Sequence, residues 1–159
     1  MKIIGTLLLF LTFSFLTFAQ PTDTLDTESE KAAVINLVEQ FLSAVGDYDI
    51  EAVKTMFSDK ANIYGASLRD GKWITRTYTI QEFLERLQSY DNPTKYTEPV
   101  SEFTVHMEMG MLAFVRADAI FTIHGEARNN NLDYFTLIKE EGTWKILNGS
   151  YVSVRIKKE

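Results

Sequence analysis

The side chains in this chain that could do chemistry are mostly oxygen groups, and few are spaced for catalysis. There is no cysteine, which removes thiol nucleophiles, thiolate metal sites and disulfides together. The two histidines, His106 and His124, fall on separate strand segments with no matching donors nearby, whereas a metal centre needs several donors converging on one point. Serine and threonine are plentiful, yet no G-x-S-x-G elbow, glycine-rich phosphate loop or H-E-x-x-H pair occurs. What remains are carboxylates and phenols, Tyr64 and Tyr151 among the latter, and neither composition nor spacing alone singles one of them out. Arg116 and Asp118 share one face of a strand, where they form either a ladder pair or part of a polar pocket.

The segments that would position these groups begin with a long hairpin, Leu132 to Ile156, whose turn is Glu140-Glu141-Gly142-Thr143. A hairpin of that length needs other elements to bury a face. Thr27-Glu28-Ser29-Glu30 has the form of a capping box, and Val34, Leu37, Val38, Phe41, Leu42 and Val45 recur at helical steps behind it. A second, shorter helix runs from Asp49, buries Val53, Met56 and Phe57, and ends at Ser58-Asp59. Ala61 to Ser67 and Lys72 to Tyr78 are strands joined at Asp70-Gly71, with Trp73 either lining a cavity mouth or sitting on an exposed tip. Thr79-Ile80-Gln81-Glu82 caps a third helix carrying Phe83, Leu84, Leu87 and Tyr90. Val100 to Met109, a turn at Gly110 and Leu112 to Glu126 follow, and Asn129-Asn130-Asn131 is expected to turn the chain into the long hairpin. The order predicts an α+β fold, about three helices packed on a mostly antiparallel sheet.

Residues 1–19 read as a cleavable secretory signal peptide: Lys2, then an apolar run from Ile3 to Phe18, then Ala19 before a polar stretch. The run is shorter than a bilayer span, so a periplasmic or secreted protein without a stable membrane anchor is expected. Residues 20–159 then form a single domain, long enough for a real core. The net charge of −6 becomes −7 when Lys2 leaves with the signal, which argues against a nucleic-acid partner.

Three strings, VEQFLSAVGDYDIEAVKTMFSDKANIYG, MLAFVRADAIFTIHG and DYFTLIKEEGTWKILNGSY, resemble in content and order the nuclear transport factor 2-like superfamily, and within it the SnoaL-like and lumazine-binding-like group. The resemblance implies a cone: a strongly bent sheet around a cavity capped by the first helices, with the opposite sheet face often in a homodimer. It turns Asp133 inward, together with Phe135, Ala117, Ala119, Phe121, Leu147 and Tyr151, and Trp144 would pack in the core or an interface. Matched without a gap, the steroid isomerases of this superfamily would have their oxyanion tyrosine at Phe41 and their catalytic base at Gly65, so both groups are missing here. Their oxyanion aspartate falls on Asp133. With no base and half an oxyanion site, that mechanism is not expected.

The expected function is therefore a small-molecule-binding domain, leaning non-catalytic, without cofactor or metal. Its ligand-binding residues would be Asp133, Phe41, Phe121, Phe135, Leu147 and Tyr151, whose aromatic wall suits a flat or apolar ligand. Asp133 is either a polar hook for that ligand or a cap on the asparagine-rich turn. The alternatives are a SnoaL-like lyase, isomerase or hydrolase using Asp133, and a dimeric interaction module whose cavity is filled.

Overall fold

In the computed structural model, which describes residues 27–157, the chain runs α1 (Thr27–Asp47), α2 (Ile50–Met56), β1 (Phe57–Arg69), β2 (Lys72–Thr79), α3 (Ile80–Gln88), β3 (Val100–Glu108), β4 (Leu112–Ile123), β5 (Glu126–Glu140) and β6 (Thr143–Arg155). The strands form one curved sheet in the order β2-β1-β6-β5-β4-β3. Neighbours are antiparallel except β1 and β6, which run parallel because α3 and the β3–β4–β5 excursion separate them in sequence. This is the expected α+β cone, with the long hairpin β5–β6 at the middle of the sheet. The signal-peptide segment lies outside the described residues.

Local chemistry explains most boundaries. Thr79 caps α3 as expected: its Oγ1 accepts from Glu82 N at 3.2 Å, and Glu82 Oε2 accepts from Thr79 N at 2.8 Å. Asp49 caps α2 by accepting from Ala52 N at 3.1 Å. The carboxylate of Glu30 accepts from Lys139 Nζ on β5 and, at 2.6 Å, from Trp144 Nε1 on β6, tying the start of α1 to the long hairpin. Helix α2 stops at Met56 and not at Ser58-Asp59, because Phe57 is already extended (φ −97°, ψ 151°) and pairs with Ile146. Tyr90 lies beyond α3 and is exposed.

The larger correction concerns the asparagines. The chain turns at His124-Gly125, with φ of 51° and 78°, and Asn129, Asn130 and Asn131 are strand residues of β5 paired to both neighbours. Two successive left-handed residues are what a tight hairpin turn requires, and Gly125 meets that need without steric cost. Asp133 therefore lies in mid-strand opposite Ala117 and Tyr151, and its reading as a cap on a turn is overturned.

The concave face of the sheet receives α1 through Val34, Val38, Phe41, Leu42 and Val45, all buried. Each such side chain contributes roughly 1.5–3 kcal/mol, so burial of this stripe outweighs intrinsic helix propensity in seating the helix. At its far end, a Cβ on Gly46 would stand 2.3 Å from the carbonyl oxygen of Tyr96. That close approach, fixed by the 3.1 Å bond from Tyr96 N to Gly46 O, lays the 96–99 segment across the mouth of the cone.

Candidate functional site: a polar-ended cavity in the cone

Strand register dictates which side chains meet on the concave face. One row across the sheet is Ile63, Gly149, Phe135 and Val115; the next is Gly65, Tyr151, Asp133 and Ala117; the third is Ser67, Ser153, Asn131 and Ala119. Glycine and alanine alternate with large or polar residues, so small positions leave room beside the rings. Tyr151 shows this most directly, since its ring covers Gly65 so closely that a Cβ there would lie 2.4 Å from Cζ. The result is a cavity of about 290 Å³ between the sheet, α1, α3 and the 96–99 segment.

Aromatic rings make up much of its wall. Phe41 meets Phe57 and Phe135 edge-on, with ring centroids 5.3 and 5.6 Å apart, and Phe121 packs against Tyr96 at 4.7 Å. Along one side the lining becomes polar: Asn131 Nδ2 donates to Glu98 Oε1 at 2.6 Å, and Asn129 Nδ2 donates to Ser153 Oγ at 2.8 Å. Asp133 and Asn131 are only 5% and 7% exposed, and each has an oxygen, Asp133 Oδ2 and Asn131 Oδ1, with no hydrogen-bond partner. Burial of such atoms unpaired costs about 1–3 kcal/mol each.

Electrostatics follow from that burial. Desolvation pushes Asp133 up to about 8, helped by the negative charges of Glu98 and Asp118. Desolvation also pushes Glu98 up to about 7, against the opposing effect of its bond from Asn131. Tyr96 and Tyr151 are raised too, chiefly by burial. Two carboxyl groups in one small cavity thus titrate near neutrality, a range in which such groups can carry or transfer protons.

Of the residues named from sequence, Phe41, Phe121, Asp133, Phe135 and Tyr151 line the cavity. Leu147 does not: it sits at the bulge where Leu137 pairs with Ile146 and Thr136 with Asn148, and the extra residue is turned out of the row. Tyr64 points to the outer face, 42% exposed, and is no donor for this site. Trp73 is exposed at the β1–β2 hairpin, while Trp144 is buried in the core. Arg116 and Asp118 form a two-point ion pair on the outer face, at 2.7 and 2.8 Å. His106 and His124 are exposed, and no cluster of metal-binding side chains occurs among the described residues.

Sequence reasoning missed Glu98, Asn131, Asn129 and Tyr96. The asparagines carried a usable signal, because once the turn is placed at Gly125, alternation puts Asn129, Asn131, Asp133 and Phe135 on one face. Glu98 had none, since its position depends on a loop crossing the mouth.

Among curated proteins none matches the sequence. Solved structures do match in fold. A protein of unknown function from Mycobacterium tuberculosis superposes with a TM-score of 0.66 at 14% identity, over 82% of this chain and 75% of the other. An NTF2-like protein of unknown function from Shewanella baltica gives 0.58 at 20% identity, over 79% and 94%. A structure described as "Putative Scytalone Dehydratase", from Novosphingobium aromaticivorans, gives 0.59 at 15% identity, over 82% and 87%. At these identities the likeness is one of fold. The cone seen here is therefore the nuclear transport factor 2-like one, and since the model of the family described as "Putative lumazine-binding" matches residues 29–152, from α1 into β6, the chain belongs to that family.

Proposed function

We propose that the protein is an exported small-molecule-binding domain whose ligand, a flat ring system with polar atoms along one edge, occupies the cavity of the cone. The observation that carries this reading is the pair of unpartnered oxygens on Asn131 and Asp133, both buried and both in the lining of one cavity with aromatic walls. Native structures seldom leave such atoms unpaired, and a bound ligand is one way to satisfy them. The family description adds a first compound to try, lumazine. Export rests on the apolar run of residues 3–18 behind Lys2. A homodimer through the outer sheet face is part of the same proposal, supported by Tyr64, Phe114 and Tyr134 at 42%, 45% and 47% exposure. The test is a thermal-shift screen of flat mono- and bicyclic heterocycles, lumazine among them, on the wild type and on Phe135→Ala. Stabilisation of the wild type that weakens in the variant is expected; no compound shifting the wild type would sink the proposal.

A second reading has its own observation, the two carboxyl groups Glu98 and Asp133 in one cavity with near-neutral titration. They could act as acid and base on a bound substrate. It predicts turnover of a bound compound that Glu98→Gln and Asp133→Asn each abolish while binding persists.

A further inference from the structure

We propose that the cavity is built for a flat organic cation, its N–H groups donating to Asn131 Oδ1 and Asp133 and its ring lying against the phenylalanine and tyrosine walls. This rests on the reading of the cavity as a ligand site and gives that ligand a charge and a hydrogen-bonding pattern.

Three observations point the same way. First, Asn131 Oδ1 is buried without a hydrogen-bond partner while its Nδ2 donates to Glu98 Oε1 at 2.6 Å. What is wanted there is a donor. Secondly, neither Glu98 nor Asp133 is in an ion pair with a lysine or arginine among the described residues. Arg69, the cation in the lining, is exposed at the end of β1. One buried and one part-buried acid without a counter-charge favour a guest that brings one. Thirdly, Phe41, Phe121, Phe135, Tyr96 and Tyr151 supply ring faces and edges around the remaining space, and a cation over such faces is attracted by their quadrupole. A guest offering only acceptor oxygens, anionic or neutral, would leave Asn131 Oδ1 without a donor. The volume of about 290 Å³ limits the guest to a small ring system.

The groups facing Asp133 set the pH dependence. They are Tyr151 on β6, Glu98 and Tyr96 on the crossing segment, Arg69 at the rim, and the more distant Asp118 on β4. Burial keeps Asp133 protonated in the empty cavity at neutral pH, so binding a cation must expel that proton. Affinity for a permanently charged cation therefore rises with pH up to about 8 and levels off above it.

The experiment is titration calorimetry with benzamidinium, its neutral isostere benzamide, and benzoate, at about pH 6 and about pH 9, on the wild type and Asp133→Asn. Benzamidinium is expected to bind the wild type at least about tenfold more tightly than benzamide at the higher pH, with proton release measured in buffers of differing ionisation enthalpy. The advantage should shrink at the lower pH and vanish in Asp133→Asn. The comparison of probes on the wild type needs no variant, so it decides even if the substitution disturbs folding. Benzamide or benzoate binding as tightly as benzamidinium would overturn the cation proposal and leave the ligand site standing. Failure of all three probes to bind at millimolar concentration would overturn the cation proposal, while a heterocycle hit in the thermal-shift screen would still uphold the site.

Discussion

Asp133 is the residue at which sequence and structure meet most closely, and its neighbour Glu98 is where they part. A carboxyl in a strand that turns inward needed only alternation and a resemblance; the partner acid arrives on a segment whose path depends on Gly46 and Tyr96 touching. The titration of Asp133 gives a test by stability alone. Its folded value of about 8 lies above the ordinary 3.8, so its contribution to stability is full below pH 4 and is lost as pH rises through about 8. The wild type should therefore weaken between about pH 4 and pH 8, and Glu98 adds to the same trend over a narrower window that ends at about 7. Asp133→Asn keeps the shape and cannot ionise. We expect it to match the wild type within about 0.5 kcal/mol near pH 4 and to exceed it by roughly 1–3 kcal/mol near pH 9, measured by urea denaturation at both values. A variant with the same pH slope as the wild type would show that Asp133 does not carry the strain.

Among the elements, helices and the β5–β6 hairpin were legible because periodicity and capping are local signals, whereas the β4–β5 turn was not. Three asparagines in a row look more like a turn than His124-Gly125 does, yet the backbone needs two consecutive left-handed residues, and tertiary pairing holds the asparagines extended. The bulge at Leu147 was invisible for a related reason, since one extra residue shifts every later side chain to the other face and no single residue type announces it. The contact between the end of α1 and the 96–99 segment can be tested directly. Gly46→Ala would force a methyl against the Tyr96 carbonyl, and backbone cannot yield as a flexible side chain can. It should cost about 1–3 kcal/mol by denaturant unfolding and weaken any ligand that depends on Glu98. Unchanged stability would mean the segment is free to move aside.

For the whole molecule, the order of elements was enough to predict an α+β fold and the resemblance supplied the cone, while the cavity's polar side emerged only when distant strands and a loop were brought together. The convex face of the sheet carries Phe114 and Tyr134 on neighbouring strands, with the guanidinium of Arg116 6.0 Å from the Tyr134 ring and paired to Asp118. An exposed aromatic patch on a sheet face is a natural contact for a second copy. Light scattering on the wild type is expected to give the mass of a dimer, and Tyr134→Glu, which adds a charge to that patch without touching the cavity, should give a monomer that still binds. A monomeric wild type would remove the dimer from the proposal.

The ring of Tyr151 lying over Gly65 also constrains the substitutions open to this chain. In the steroid isomerases of the superfamily that the sequence resembles, the position matching Gly65 would carry the base, and here even a methyl at that position meets the ring. A carboxylate there would require the Tyr151 ring to move aside, giving up one wall of the cavity. Positions 65 and 151 are thus coupled: a larger residue at the first needs a change in the ring at the second.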